Sequence, residues 1–435
     1  MARSSGPAQP TDPRLRWGVG LQAECGLWRV LALLLLGAVA GSARASEQDP
    51  QYGEMEILEE YYRDSELRSG HIPLGRVDDG LERYFDMKER LREKTGLQYV
   101  LESAPILQGQ LNGGAGPTAN LETNAIARWS PIDFENPKRG NLMVWYQFAN
   151  TIGSDTTAEF LQEMGVLSPL NGGDTGDSLT RSVFQQIAWE QWFLDDRLRF
   201  MLGKQTTRVT MNLNRYAVGD REDFFSPMIV NNPVVPYTAR IGLALFGEYQ
   251  TDDWYVSGMV RDADGFATYV DWSVHADELE YIGEFGFTPD DLAGLGQGVY
   301  RLTLNYTNPV GSGAARQPSG WDASLSFDQN VGDDYGLFFR YAYASEYFRA
   351  FRQNVALGAQ IKHPLGFRDD RIGVAAWWGD PSGRSRHDEY GLEAFWKLQV
   401  LRFLEVTPDL QLVIDPALSS DAVALVGGLR LRVLF

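Results

Sequence analysis

Cysteine is almost absent from this 435-residue chain: the only one is Cys25. A disulfide-stapled fold and a cysteine-built zinc site are excluded, since each needs at least a pair. Histidine is scarce too. His71, His275, His363 and His387 are not spaced as a zinc motif or a catalytic triad, and no serine stands in phase with His363 or His387. The patterns therefore point to no enzyme chemistry, no bound metal and no cofactor. Positive charge is short, with 39 Lys and Arg against 58 Asp and Glu for a formal net charge of −19. That balance argues against nucleic acid or an anionic lipid surface as partner. Nor is there a run of eighteen apolar residues, so no helical membrane span is expected.

The apolar stretch VLALLLLGAVAG at 30–41 falls short of the roughly 20 residues such a span needs. Arg14, Arg16 and Arg29 precede it, and Ala43-Arg44-Ala45 offers a small-x-small cleavage site. These are the marks of a secretory signal, residues 1–45, cut after Ala45 and taking Cys25 with it. The signal carries five Arg against Asp12 and Glu24, so its removal takes the net charge to −22.

What the chain does have is aromatic residues, 12% of the total, along with 45 glycines and long two-residue periodicity. Across 422–435, Val423, Leu425, Leu429, Leu431, Val433 and Phe435 fall in one phase, and Ala424, Val426, Arg430 and Arg432 in the other. The preceding strand sets Leu404, Val406, Leu410, Leu412 and Ile414 against Glu405, Thr407, Asp409 and Gln411. Tyr300, Leu302, Leu304 and Tyr306 oppose Arg301, Thr303 and Asn305, while Ile241, Leu243, Leu245 and Tyr249 oppose Arg240 and Glu248. One face apolar and one polar, over strands longer than the five or six residues usual in soluble sheets, fits strands that cross a bilayer at a tilt.

Sixteen strand candidates follow Gly96, near 97–108, 119–130, 140–150, 181–193, 197–206, 238–250, 253–262, 278–288, 298–307, 320–329, 334–345, 353–363, 370–380, 387–399, 402–415 and 421–435. Their connections alternate. Tight turns at 194–196, 251–252, 332–334 and 401–402, with longer members of the same set at 131–139 and 289–297, interleave with long excursions at 151–180, 207–237, 263–277 and 308–319. An even strand count with short periplasmic turns and longer external loops is the pattern of outer-membrane barrels. The expected fold is all-β: a 16-stranded antiparallel transmembrane β-barrel of porin type over 97–435, wide enough for an aqueous lumen lined by the polar phase. A soluble β-sandwich, such as a secreted glycan-binding protein, has no reason to sort its loops this way. Residues 46–96 are expected to hold an acidic arm and a periplasmic helix capped by Asp78 or Asp79 and ended by Gly96, with Leu81, Tyr84, Phe85, Lys88 and Leu91 on one stripe.

Four segments carry a resemblance: FQQIAWEQWFLDDRLRFMLGKQ at 184–205, ARIGLALFGEYQTDDWYVSGMVRDADG at 239–265, LEYIGEFGFTP at 279–289, and HDEYGLEAFWKLQVLRFLEVTPDLQLVIDP at 387–416 with its Pro408-Asp409-Leu410-Gln411 and Asp415-Pro416. Together they resemble the OprB-like carbohydrate-selective porins. The resemblance implies a narrowed outer-membrane channel for sugars, glucose above all. A general porin, or one for ions or organic acids, is the alternative. The terminal strand ending at Phe435 is similar to the signal read by the barrel assembly machinery, and outer-membrane lipid is the other expected partner.

Sugar passage requires polar groups to replace the hydration of hydroxyls and aromatic faces to meet the ring. Lumen-phase candidates are Arg197, Arg199, Arg240, Arg261, Arg301, Arg340, Arg430 and Arg432, faced by Glu248, Glu393, Glu405 and Asp409. Some of these are expected to pair across strands. The narrowing is expected from an infolded long loop, either 151–180 or 207–237. The second carries Arg208, Asn212, Asn214, Arg215, Arg221, Glu222 and Asp223 with Tyr216, Phe224 and Phe225.

Overall fold

A computed structural model describes residues 68–153, 155–171, 180–219, 221–232, 241–265, 270, 272–311, 316–345, 350–383 and 386–435. The expected signal at 1–45, the acidic arm up to residue 67 and the candidate Arg240 lie outside the described residues.

Sixteen antiparallel strands close into one barrel in simple up-and-down order, each paired to its sequence neighbours and β1 to β16. They run β1 Leu97–Gln110, β2 Thr118–Trp129, β3 Asn141–Thr151, β4 Thr180–Phe193, β5 Leu198–Lys204, β6 Leu243–Gln250, β7 Trp254–Asp262, β8 Leu279–Phe287, β9 Gly298–Thr307, β10 Gly320–Val331, β11 Tyr335–Ala344, β12 Phe351–Lys362, β13 Arg371–Pro381, β14 Glu389–Leu401, β15 Leu404–Ile414 and β16 Val423–Leu434. Closure is sealed by Leu101 and Phe435, which exchange two backbone hydrogen bonds of 2.9 Å. A closed ladder leaves no unpaired strand edge, the condition for β-structure in hydrocarbon.

The two-residue periodicity survives almost intact. Leu302, Leu304 and Tyr306 are exposed on the outer surface, whereas Arg301, Thr303 and Asn305 are buried towards the lumen. Ile241 departs from the expectation. β6 starts only at Leu243, and Ile241 is fully buried with its carbonyl accepting from Lys204 Nζ at 2.8 Å. Arg197 departs as well, lying exposed in the turn between β4 and β5 because β5 begins one residue later.

Helix α1, Arg76–Thr95, precedes the barrel. Its N-cap is Gly75, not Asp78 or Asp79. Both aspartates lie in the first turn, and Asp78 accepts from the Leu74 amide at 2.7 Å. Gly96 ends the helix in the left-handed conformation with φ 71°. A Cβ there would stand 2.4 Å from the Ser130 carbonyl oxygen, so only glycine fits the step from helix into β1. The helix buries Leu81 and Phe85, and Tyr84 meets the terminal Phe435 ring edge-on at 6.3 Å. It therefore packs at the end of the barrel that carries the short turns.

Candidate channel constriction

In the β5–β6 connection, residues 205–219 and 221–232 turn inward and cross the lumen. Irregular backbone at membrane depth needs protein groups to take its hydrogen bonds. The lumen face of the wall supplies them. Arg340 donates to the carbonyls of Ile229, Val230 and Asn212, Asn354 to that of Met228 at 2.9 Å, and Gln360 to that of Tyr216 at 2.9 Å. Arg430 donates to the carbonyls of Glu222 and Asp223 at 2.9 and 3.0 Å and lies over the Phe225 ring. Carboxylates take the amides: Glu393 accepts from Phe225 and Ser226, and Glu284 from Asn212 at 2.6 Å. A single helical turn, α2, Pro227–Val230, starts at Ser226, whose hydroxyl accepts from the Met228 amide.

This stretch also carries apolar side chains into the barrel. Phe224 packs edge-on against Phe395 and Phe338, with ring centroids 4.8 and 5.6 Å apart. Met228, Ile229 and Val230 join Phe351, Trp377, Ala356 and Val413 in one buried cluster. The expectation of a lumen lined throughout by polar residues is thus corrected. Over β11 to β16 the lumen face alternates polar clamps with apolar side chains, because a folded loop needs a core to pack on.

The β3–β4 connection also folds in. Its helix, Thr157–Met164, opens with a reciprocal capping box between Thr156 and Glu159 and buries Phe160 and Met164 in the same cluster. Glu389 accepts from the amides of Leu167 and Ser168 at 2.8 Å each. The Ser226 hydroxyl donates to the Pro169 carbonyl at 3.0 Å, tying the two infolded loops together.

The 208–222 half of the crossing loop has backbone clamps of its own, at Asn212, Tyr216 and Glu222, and adds ion pairs from its side chains. Arg221 pairs with Glu102 on β1 at 2.9 Å and Glu122 on β2 at 2.5 Å, and its guanidinium lies 5.5 Å from the Trp145 ring. Arg215 pairs with Asp328 and donates to Gln297. Burial is the largest influence on Arg215 and opposes its charge, but the attraction of Asp328 and Tyr216 together with the hydrogen bond to Asp328 outweighs it and the pKa is raised. Between this half and the wall lies a cavity of about 60 Å³, partly open to solvent. Trp145, Arg208, Asn212, Asn214, Arg221 and Glu222 line it. Asn212 is 2% exposed, and neither atom of its side-chain amide has a hydrogen-bond partner.

Only some of the candidate residues gather here. Arg221 and Arg340 line the cavity. Arg215, Asp223, Glu393 and Arg430 hold the loop around it, Asp223 accepting from the Val218 amide at 3.2 Å. Arg432 joins Glu405 to Glu102 at 3.2 and 2.5 Å. Arg199 is a wall residue, paired with Glu190 at 2.6 Å and set against Trp192 and Phe246. Arg301 pairs with Asp328 at 2.6 Å, and Arg261 with Glu280. Glu102, Glu122 and Trp145 were not among the candidates. Their signal was the lumen phase of β1 to β3, where Glu102 follows Val100 and Glu122 follows Asn120 at two-residue steps.

Comparison with known proteins comes to the same point. Residues 138–435 match the carbohydrate-selective porin family OprB. The high-pH structure of Pseudomonas putida OprB superposes with a TM-score of 0.65 at 16% identity, covering 81% of this chain and 97% of that one. The low-pH structure of the same protein gives 0.50 at 16% identity, covering 85% and 100%. No curated protein matches the chain.

Proposed function

We propose, for a chain that belongs to the OprB family of carbohydrate-selective porins and is a carbohydrate channel of the bacterial outer membrane, that its solutes are glucose-like mono- and short oligosaccharides. Selection takes place at the eyelet between the 208–222 segment and the wall. The observation that carries this reading is the eyelet's mixed lining. An indole at Trp145 stands among the cationic, amide and carboxylate groups of Arg208, Arg221, Asn212, Asn214 and Glu222. Sugar rings have apolar faces and a rim of hydroxyls, and this lining offers a partner to each. Arg199, Arg301 and the other paired wall residues serve by neutralising the lumen and fixing the loop. The fold and family point to a channel rather than an enzyme. Residues 1–45 direct export, the outer face meets lipid, and β16 with the Phe435 that follows it is offered to the assembly machinery.

The test is single-channel recording of the folded protein in planar bilayers while glucose, maltose and a neutral polyol are titrated. Saturable block by a sugar and not by the polyol is expected. Current untouched by every sugar, together with a strong ion preference, would leave the barrel intact and replace the sugar assignment with a general or ion-selective porin.

A further inference from the structure

A chain of buried charges leads from the N-terminal segment to the eyelet. Arg68 pairs with Glu405, Glu405 with Arg432 at 3.2 Å, Arg432 with Glu102 at 2.5 Å, and Glu102 with Arg221 at 2.9 Å; Arg221 reaches on to Glu122 at 2.5 Å. Three arginines thus alternate with three carboxylates, and every side chain in the series is at most 8% exposed. The series continues into neutral groups that reach the cavity lining. Asn124 donates to Glu102 at 3.0 Å and accepts from the Trp145 indole at 2.8 Å, while Gln147 donates to Glu122 at 2.6 Å.

The segment that delivers Arg68 is fastened to the short-turn end of the barrel, the periplasmic end in this architecture. The His71 and Ile72 amides donate to the carbonyls of Gln399 and Val400 at 2.9 and 3.0 Å. The Ser69 amide donates to Asp369 at 2.9 Å, and His71 bonds Asp370 at 2.9 Å while its ring lies against Phe367. Between them Gly70 presses on the β14–β15 turn. A Cβ there would lie 2.5 Å from the Leu401 carbonyl carbon and 2.6 Å from the Arg402 nitrogen. No other residue type allows that approach.

We infer that residues 68–75 form a strap that positions the eyelet from the periplasmic side, with Arg68 as a positioning residue for Arg221 acting through Glu405, Arg432 and Glu102. A buried carboxylate that loses one cation draws more strongly on the next. Without Arg68, Glu405 pulls on Arg432, Arg432 loosens from Glu102, and Arg221 loses the fixed partner that sets it beside Trp145. The inference concerns eyelet geometry and is read by ion selectivity, so it stands whether or not a sugar is the solute.

The experiment is a double-mutant cycle of Arg68→Ala and Arg221→Ala in the full-length protein, reading the cation/anion permeability ratio from the reversal potential in a salt gradient. Arg68→Ala alone is expected to shift the ratio about threefold, and to add little once Arg221 is already alanine, the non-additivity of residues in one ion-pair network. Arg68→Lys should restore the wild-type ratio. Gly70→Val, which lifts the strap while keeping Arg68, should reproduce the Arg68→Ala shift. Should the alanine variant fail to insert, Arg68→Gln keeps a donor for Glu405 and completes the cycle. Independent, multiplying effects of the two substitutions, or a Gly70→Val channel with the wild-type ratio, would overturn the inference.

Discussion

The two halves of the crossing loop, 208–222 and 223–232, share one lumen and both give backbone groups to the wall, but only the first adds ion pairs from its side chains. The second half gives its backbone to the wall. Arg340, Asn354 and Glu393 take its carbonyls and amides, and its side chains Phe224, Met228 and Ile229 are buried in an apolar cluster. The first half also gives backbone groups at Asn212, Tyr216 and Glu222, adds ion pairs at Arg215 and Arg221, and supplies most of the cavity lining. A backbone clamp with a packed core is stiff and indifferent to what passes. Side chains in a solvent-open cavity can exchange a protein partner for a solute. The difference separates anchor from aperture within one loop.

The largest effect is expected from breaking the anchor. Met228→Asp puts an unpaired charge into the apolar cluster at a cost of several kcal/mol, more than a loop is held by. The loop should leave the lumen, and single-channel conductance should rise severalfold. Wild-type conductance in this variant would show that the cluster does not hold the loop. Arg340→Leu comes next. It strips charged donors from three carbonyls, at about 1–3 kcal/mol for each left unsatisfied. Current that flickers between wild-type and enlarged levels is expected, and a steady wild-type trace would deny Arg340 its clamping role.

Breaking the aperture should be gentler on the barrel and harder on selection. Arg221→Ala is expected to raise conductance slightly while weakening sugar block about tenfold, equivalent to about 1.4 kcal/mol. Equal sugar block in wild type and variant would move selection away from this half of the loop. The smallest effect belongs to Arg197→Ala. In an exposed turn, outside both halves, it should alter stability by no more than about 0.5 kcal/mol and leave conductance unchanged, as measured by thermal unfolding in detergent and by bilayer recording.

Much of the fold was legible in the residues themselves. Alternation at period two is a local property of the chain, so each strand could be found from its own sequence, and loop sorting gave the topology. The misreadings lie where the period is right and the element has ended. Ile241 continues the apolar phase of β6 beyond the point where pairing starts, and Arg197 continues the lumen phase of β5 into a turn. Which of the lumen arginines meet the cavity was not legible. Arg199, Arg301 and Arg430 look alike in phase and composition, yet one lies against wall aromatics, one against an aspartate and one under the loop backbone.

By itself the sequence determined the sixteen strands and their outward-facing side, because these rest on alternation, length and turn spacing, and it carried the motifs of the family to which the chain belongs. Only the tertiary structure decided that the β5–β6 loop crosses the lumen, that an apolar cluster anchors it there, and that Arg68 and Arg221 lie on one run of buried charge. The physical reason is separation along the chain. Arg221 finds Glu102 and Glu122 about a hundred residues away, and Arg68 finds Glu405 across 337. Pairs that distant are set by barrel closure and loop infolding, which no local pattern records.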